Sequence, residues 1–241
     1  MSTTATTTFK MPVSKRALDI TVSLIALPFL AVATLVMTLV MKVASPGPVF
    51  FLQERVGYRG RRFKIYKFRT MITGANTGVH QAYFSQLMGS SAPMVKMDSK
   101  GDSRLIPGGW ILRASGLDEL PQLINVLRGD MSLIGPRPCL PYEYEGYLPW
   151  QRKRFSTTPG LTGLWQVSGK NRTTFDEMIR LDIQYAEEHS FWLDLKIIFM
   201  TVPALLQQIG DTRARRQAFA QSRPPVAAMP AEAPKGVYSQ H

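Results

Sequence analysis

Cysteine is almost missing from this sequence. Cys139 is the only one among 241 residues, so no intrachain disulfide can form and the globular part suits a reducing compartment. The three histidines, His80, His189 and His241, are scattered, and with a single thiol they make no zinc pattern. A metal here would be a hard, oxygen-ligated ion such as Mg2+. Acidic residues are also few: 17 Asp and Glu face 29 Lys and Arg, a net charge of +12. That excess suits a polyanionic partner, whether nucleic acid, anionic lipid or a phosphorylated substrate. There is no internal repeat. The chain is 45% hydrophobic, which excludes a wholly disordered protein, and its length fits one domain with tails.

A long uncharged run is present. "ITVSLIALPFLAVATLVMTLVM" covers Ile20 to Met41 without one ionisable group, and about 20 apolar residues suffice to span a bilayer. Pro28 falls inside it and is expected to kink or break the helix. Lys10, Lys15 and Arg16 precede the run; Lys42, Arg55, Arg59, Arg61, Arg62, Lys64, Lys67 and Arg69 follow it. Positive charge marks the cytoplasmic side, so a segment that dips in, bends and returns satisfies both flanks; a plain single-pass anchor is the alternative. The run is too long for a signal peptide and no small-residue cleavage site follows it. In a second stretch, Phe191–Gly210, the uncharged part starts only at Ile197. It reads as an amphipathic surface helix or as a core helix.

Four parts follow from this pass: a disordered tail (1–14), a membrane-embedded helix (15–45), a cytoplasmic domain (46–210) and a disordered basic, Pro-rich tail (211–241). "VFFLQERVG" and "RRFKIYKFRTM" around "YRG" predict a hairpin. Residues 75–102 are weakly patterned, partly helical and mobile. "GGWILRAS" is a short helix or turn. Leu117, Leu120, Ile124 and Leu127 predict an apolar stripe on a helix, with Asp118, Gln122 and Asn125 on another face. Residues 175–189 again have helical spacing.

Candidate chemistry gathers around "SGLDELPQLINVL". Asp118 and Glu119 are adjacent acids at a helix start, with Ser115 three residues before Asp118. Local capping explains them. So does chemistry: neighbouring helix positions point about 100° apart, so one acid can face a substrate while the other holds a metal. An ionised aspartate attacks phosphorus once cations neutralise the phosphate. Arg137, fixed between Pro136 and Pro138, can fork onto a phosphate, or be an exposed turn residue. Lys67 and Arg69 alternate, hence share one strand face suited to a diphosphate or headgroup. "TPGLTGLWQVSGKNR" (158–172) packs three glycines with Gln166 and Asn171 into a loop whose backbone N–H groups can approach an anion. Asp182 and Tyr185 lie about a helical turn apart and suit a sugar, base or metal, or are merely solvated.

Taken together, "KRALDI", the apolar segment, "SPGPVFF" with "QERVG", "FKIYKFRTM", "LRASGLDELPQLINVLRGDMSLIGPRP", "PGLTGLWQVSGKN", "LDIQY" and "FWLDLKII" resemble the bacterial sugar transferases. These are monotopic polyprenyl-phosphate phosphoglycosyl transferases of the undecaprenyl-phosphate hexose-1-phosphate transferase type. The likeness runs from about Lys15 to Gln208, and the long central block is the most specific part. It implies a mainly helical α+β fold: a re-entrant membrane helix, a small β-hairpin and surface amphipathic helices. It implies an enzyme of the bacterial cytoplasmic membrane, its catalytic domain facing the cytoplasm, that acts in exopolysaccharide or glycan assembly. A UDP-sugar and undecaprenyl phosphate are the implied substrates and UMP the leaving product. By the resemblance Asp118 is the nucleophile, forming a phosphosugar–aspartyl intermediate, and Glu119 holds Mg2+. Arg113, Arg137 and Lys67 grip phosphates, with Arg69, Gln166, Lys170, Arg172, Asp182 and Tyr185 as further substrate-binding candidates. Lys170 stands in "GKN" where the family's arginine is expected, so Lys170 or Arg172 takes its place, although lysine cannot make the same fork. No nucleic-acid partner is expected; a homo-oligomer is left open, as is the sugar. The alternative from another class is a membrane-tethered basic module that binds lipid or nucleic acid, which explains the charge and the anchor but not the acid pair.

Overall fold

A computed structural model describes residues 11–74, 78–88, 90, 92–94, 102, 104–170 and 172–221. The fold is α+β and mainly helical. Helix α1 spans Val13–Ala44. A hairpin of β1 (Phe50–Val56) and β2 (Arg62–Phe68) follows, antiparallel, with Phe50 opposite Phe68 and Gln53 opposite Ile65. Next come α2 (Gly78–Met88), α3 (Gly109–Ser115), a 3-10 turn (Leu117–Gln122) and α4 (Leu123–Arg128). Two short strands, β3 (Ser132–Ile134) and β4 (Gly160–Thr162), pair in parallel. Between them lie α5 (Pro141–Gly146) and the 3-10 turn Gln151–Ser156. The short α6 (Leu164–Val167), then α7 (Phe175–Glu188) and α8 (Phe191–Gln221), complete the order.

The predicted hairpin forms, and so does the predicted helix over 175–188. Thr174 and Glu177 cap α7 reciprocally: the Glu177 N–H donates to Thr174 Oγ1 at 3.3 Å and the Thr174 N–H to Glu177 Oε2 at 2.8 Å. Helix α1 continues through Pro28, so of the kink or break expected at that proline the break does not occur. Within the weakly patterned 75–102 segment, Gly78–Met88 is helical; much of the rest lies outside the described residues. The supposed tail from 211 begins as helix. "DTRARRQAFAQ" extends α8 to Gln221 because it is rich in Ala, Arg and Gln and adds to a helix already nucleated. Arg216 there stacks on Trp110 of α3, 4.8 Å from the ring centroid. Residues 1–10 and 222–241 lie outside the described residues.

Both ends of α1 are gripped by the same domain. At the start, the Lys15 ammonium donates to Ile134 O (2.9 Å), Tyr185 Oη (2.9 Å) and Asp194 Oδ2 (2.8 Å). Arg16 donates to the Val126 and Leu127 carbonyls at the end of α4, at 2.6 and 2.7 Å. Asp19 accepts from the Leu133 N–H at 2.9 Å and from Ser132 Oγ at 3.0 Å. At the other end Met41 is buried, and Arg69 binds the turn that leaves the helix: Nε donates to Pro48 O at 2.7 Å, Nη1 to Ser45 Oγ at 3.0 Å, and Nη2 to Ser45 O. Leu30, Met37 and Met41 join the core with Ile65, Phe68, Val126 and Ile134, while Leu24, Ile25, Phe29, Val32, Leu35, Val36 and Leu39 are exposed. An exposed apolar face of that size marks contact with a membrane or partner. Among the described residues, α1 and α8 are long and apolar enough to cross a membrane. For α8 the helix is 31 residues long, so its length exceeds what its uncharged stretch alone suggests.

Candidate active site

The acid pair sits on the 3-10 turn between α3 and α4. Gly116, with φ of 75°, ends α3 and starts that turn, a conformation that favours glycine. Ser115 does not cap the acids. Its hydroxyl turns back to donate into α3, toward the Ile111 and Leu112 carbonyls at 2.8 and 3.1 Å, so the simple capping box is not formed.

The stripe expected from Leu117 to Leu127 faces partly the other way. Leu117 is 46% exposed, whereas Asp118, Gln122 and Asn125 are buried. The cause is β2. Asn125 accepts from the Tyr66 N–H at 3.1 Å and donates to Lys64 O at 2.8 Å, so its amide serves the strand as a neighbouring strand would. This docking sets the acid pair against the end of β2.

There Glu119 meets two cations. Lys67 Nζ donates to Oε1 at 2.9 Å, and Arg137 forks onto the carboxylate with Nη2 to Oε1 at 2.8 Å and Nη1 to Oε2 at 3.2 Å. Burial pushes Glu119 up, but Arg137 and Lys67 together outweigh it and hold its carboxyl well below the usual range. Lys170 adds to the same pull. Burial pulls Lys67 down to about 8, against the attraction of Glu119. Glu119 raises Arg137, with Asp118 contributing. Asp118 is 6% exposed, and its charge acts on both Lys67 and Arg137. The site thus sets two adjacent carboxylates among the positive charges of Lys67, Arg137 and Lys170.

The other sequence candidates divide. Gln166 is buried beside the site loop; its amide donates to Leu161 O at 2.8 Å while Oε1 has no hydrogen-bond partner. Arg172 is largely exposed and lies 3.6 Å from Asp211 of α8. Arg113 lies on α3, where its charge acts on Asp102. Arg69 does not share the Lys67 face: β2 ends at Phe68, and the guanidinium serves the exit from α1. Tyr185 is fully buried, its hydroxyl 2.5 Å from Asp194 Oδ1, in the network that anchors Lys15. Asp182 is buried against Arg154. Burial pushes its carboxyl up to about 6, with Arg154 opposing. Two of the three glycines of the 158–172 loop have a packing role. Gly160 and Gly163 let β4 lie directly on the Gly135 backbone; a Cβ on Gly163 would stand 2.2 Å from Gly135 O. Asn171 lies outside the described residues. Two arginines escaped notice. Arg55 of β1 feels both Glu119 and Arg137, and Arg154 holds the Arg137 backbone. In the sequence Arg55 counts only as part of the basic flank and the hairpin, and "QRKRFS" carries no signal of its own, because the partners of both arginines are remote in the chain.

Comparison with known proteins gives one consistent result. Residues 10–208 match the family model described as "Bacterial sugar transferase". The "Galactosyl transferase CpsE" of Streptococcus agalactiae is 41% identical over 199 residues, covering 82% of this chain and 43% of that protein. The "Exopolysaccharide production protein ExoY" of Sinorhizobium fredii is 34% identical over 199 residues, 83% of this chain and 88% of its own. The "UDP-glucose:undecaprenyl-phosphate glucose-1-phosphate transferase" of Caulobacter vibrioides is 40% identical over 200 residues, 80% of this chain and 69% of its own. The chain thus spans less than half of the streptococcal relative and most of the rhizobial one.

Proposed function

The chain belongs to the bacterial sugar transferases, and from that membership we propose that it moves a sugar-1-phosphate from a UDP-sugar to undecaprenyl phosphate and releases UMP. The observation that carries this reading is Asp118 buried beside a Glu119 carboxylate that Lys67 and Arg137 grip together. The name of the Caulobacter relative, a UDP-glucose:undecaprenyl-phosphate glucose-1-phosphate transferase, supports the substrate class.

In the free enzyme Glu119 occupies the cations. The donor's diphosphate is the natural competitor for them, since Arg137 presents the same fork to a phosphate as to a carboxylate. With its phosphate oxygens neutralised, the phosphorus bonded to the sugar accepts an oxygen of the Asp118 carboxylate. The bond from that phosphorus to the UMP oxygen breaks, and UMP leaves with the electron pair. The sugar phosphate is then joined to Asp118 as an acyl phosphate. An oxygen of undecaprenyl phosphate attacks the same phosphorus, the bond to Asp118 breaks, and the carboxylate returns. The product is a polyprenyl diphosphosugar.

Mg2+ fits the donor set. It binds through one or two carboxylates together with substrate phosphates rather than in an all-protein cage. Among the described residues there is no group of three or more His, Cys, Asp or Glu that could hold a metal, but the adjacent acids meet that smaller requirement and Glu119 is kept anionic. Glu119 would hold the ion, which would supply positive charge against the phosphate oxygens.

A re-entrant α1 in the cytoplasmic leaflet accompanies this reading. A straight helix of 32 residues is about 48 Å long, more than the roughly 30 Å of the hydrocarbon core, so a spanning α1 would put its ends on opposite sides. Arg16 and Arg69, both held by one domain at the two ends of α1, speak against that. The basic flanks favour the cytoplasmic side for both.

The test is a panel of UDP-sugars with the purified full chain and undecaprenyl phosphate in nanodiscs. UMP appearing with one or a few sugars is expected; UDP as the released nucleotide, or none with any donor, overturns the proposal. The same assay reads Lys67. Its ammonium is the form that binds phosphate, so kcat/KM is expected to hold below pH 8 and to fall as pH rises through about 8. Lys67→Arg, which stays charged, should remove that alkaline limb while lowering the plateau. A limb unchanged in Lys67→Arg assigns it to another group.

A further inference from the structure

The loop that carries Arg137 is fastened at three successive carbonyls by three different elements. Pro136 O accepts from the Gly160 N–H of β4 at 2.9 Å. Arg137 O accepts from Arg154 Nη2, on the 3-10 turn Gln151–Ser156, at 2.9 Å. Pro138 O accepts from Arg55 Nη1, on β1, at 3.2 Å. The two prolines have no N–H to offer, so these carbonyl bonds do the fastening.

Arg154 is the deepest of the three. It is 1% exposed and is, among the described residues, the largest fully buried side chain. Besides Arg137 O, its Nη2 meets Asp182 Oδ2 and its Nη1 donates to Tyr147 Oη at 2.9 Å. Asp182 is also 1% exposed and lies on α7. Burying such a pair costs desolvation that its attraction does not reliably repay, so its presence is poorly explained by stability alone. What it does achieve is geometric. One nitrogen of Arg154, Nη2, joins α7 to the backbone of the residue whose side chain grips Glu119, while Nη1 ties the guanidinium plane to Tyr147.

Resting on the reading of Arg137 as the phosphate grip, we propose that Arg154, held by Asp182, is a positioning residue that aims Arg137 at the donor's phosphate without touching substrate. Asp182 therefore acts through Arg154 and Arg137 rather than by binding sugar or base. A lysine at 154 keeps a charge for Asp182 but offers one nitrogen in place of the rigid pair that meets Tyr147 on one arm and Asp182 with the Arg137 carbonyl on the other.

The experiment is a double-mutant cycle on kcat/KM for UMP release, with the full chain in nanodiscs and each rate normalised to folded protein. Arg154→Lys is expected to lose about tenfold or more in the wild-type background and less than about twofold in Arg137→Ala, because its effect passes through the missing side chain. Tyr147→Phe, which removes only one hydroxyl bonded to Arg154, should show the same pattern at smaller amplitude and remains readable if Arg154→Lys does not fold. Equal fold-losses in both backgrounds mean a general structural role and overturn the inference while leaving the proposed function standing. A wild-type chain that releases no UMP removes the premise and the inference with it.

Discussion

Asp118→Asn is expected to reduce UMP release by about a thousandfold or more while the protein folds as before. Asparagine has the same shape, and Lys67 and Arg137 keep Glu119 as partner. The amide lacks the anionic oxygen that must bond to phosphorus. The decisive measurement is covalent. Donor labelled in its sugar-linked phosphate, mixed with enzyme and no lipid acceptor, should leave label on the wild-type polypeptide and none on Asp118→Asn. Adding undecaprenyl phosphate should discharge the label into lipid. Product that accumulates without labelled protein would sink the two-step scheme, and so would full turnover by Asp118→Asn.

The acid pair, Lys67 and Arg137 were legible in the sequence because each sits in a distinctive string, and the structure brings Lys67 and Arg137 onto Glu119. The hairpin was legible because "FKIYKF" alternates between signal-bearing turns. What hid was the orientation of polar groups whose partners are remote in sequence. Asn125 faces inward only because β2, about 60 positions upstream, offers it an unpaired edge. Arg69 looked like a companion to Lys67 by alternation, but the strand stops one residue short and the exit from α1 has carbonyls to satisfy. Asp182 and Tyr185 share a helix face, as their spacing implied, yet that face is turned into the domain, where each meets a buried cation, Arg154 and Lys15. Periodicity says which residues share a face; it does not say what the face meets. Gly160 and Gly163 illustrate the same limit: their closeness to another backbone is encoded by no local pattern.

That closeness supports the second large effect. Gly160→Ala is expected to cost on the order of 3–5 kcal/mol, a large share of a total stability of roughly 5–15 kcal/mol. An ideal Cβ at Gly160 would lie 2.0 Å from Gly135 N, 2.5 Å from Thr162 O and 2.6 Å from Gly135 Cα. All three are backbone atoms, so no side chain can rotate away and β4 must lift from β3. Lifting it also draws the Gly160 N–H from Pro136 O, the first of the three carbonyls that fix Arg137. Thermal unfolding should therefore show a melting point lowered by roughly 10 °C, with activity lost beyond what the folded fraction explains. Gly108→Ala supplies the comparison. Gly108 has φ of 73° but nothing within 4 Å of an added Cβ, so alanine there should cost only about 1 kcal/mol. If the two variants melt together, the strands have room to spare and the backbone contact does not hold the loop; if Gly160→Ala alone collapses, the placement of Arg137 begins with a missing side chain on the neighbouring strand.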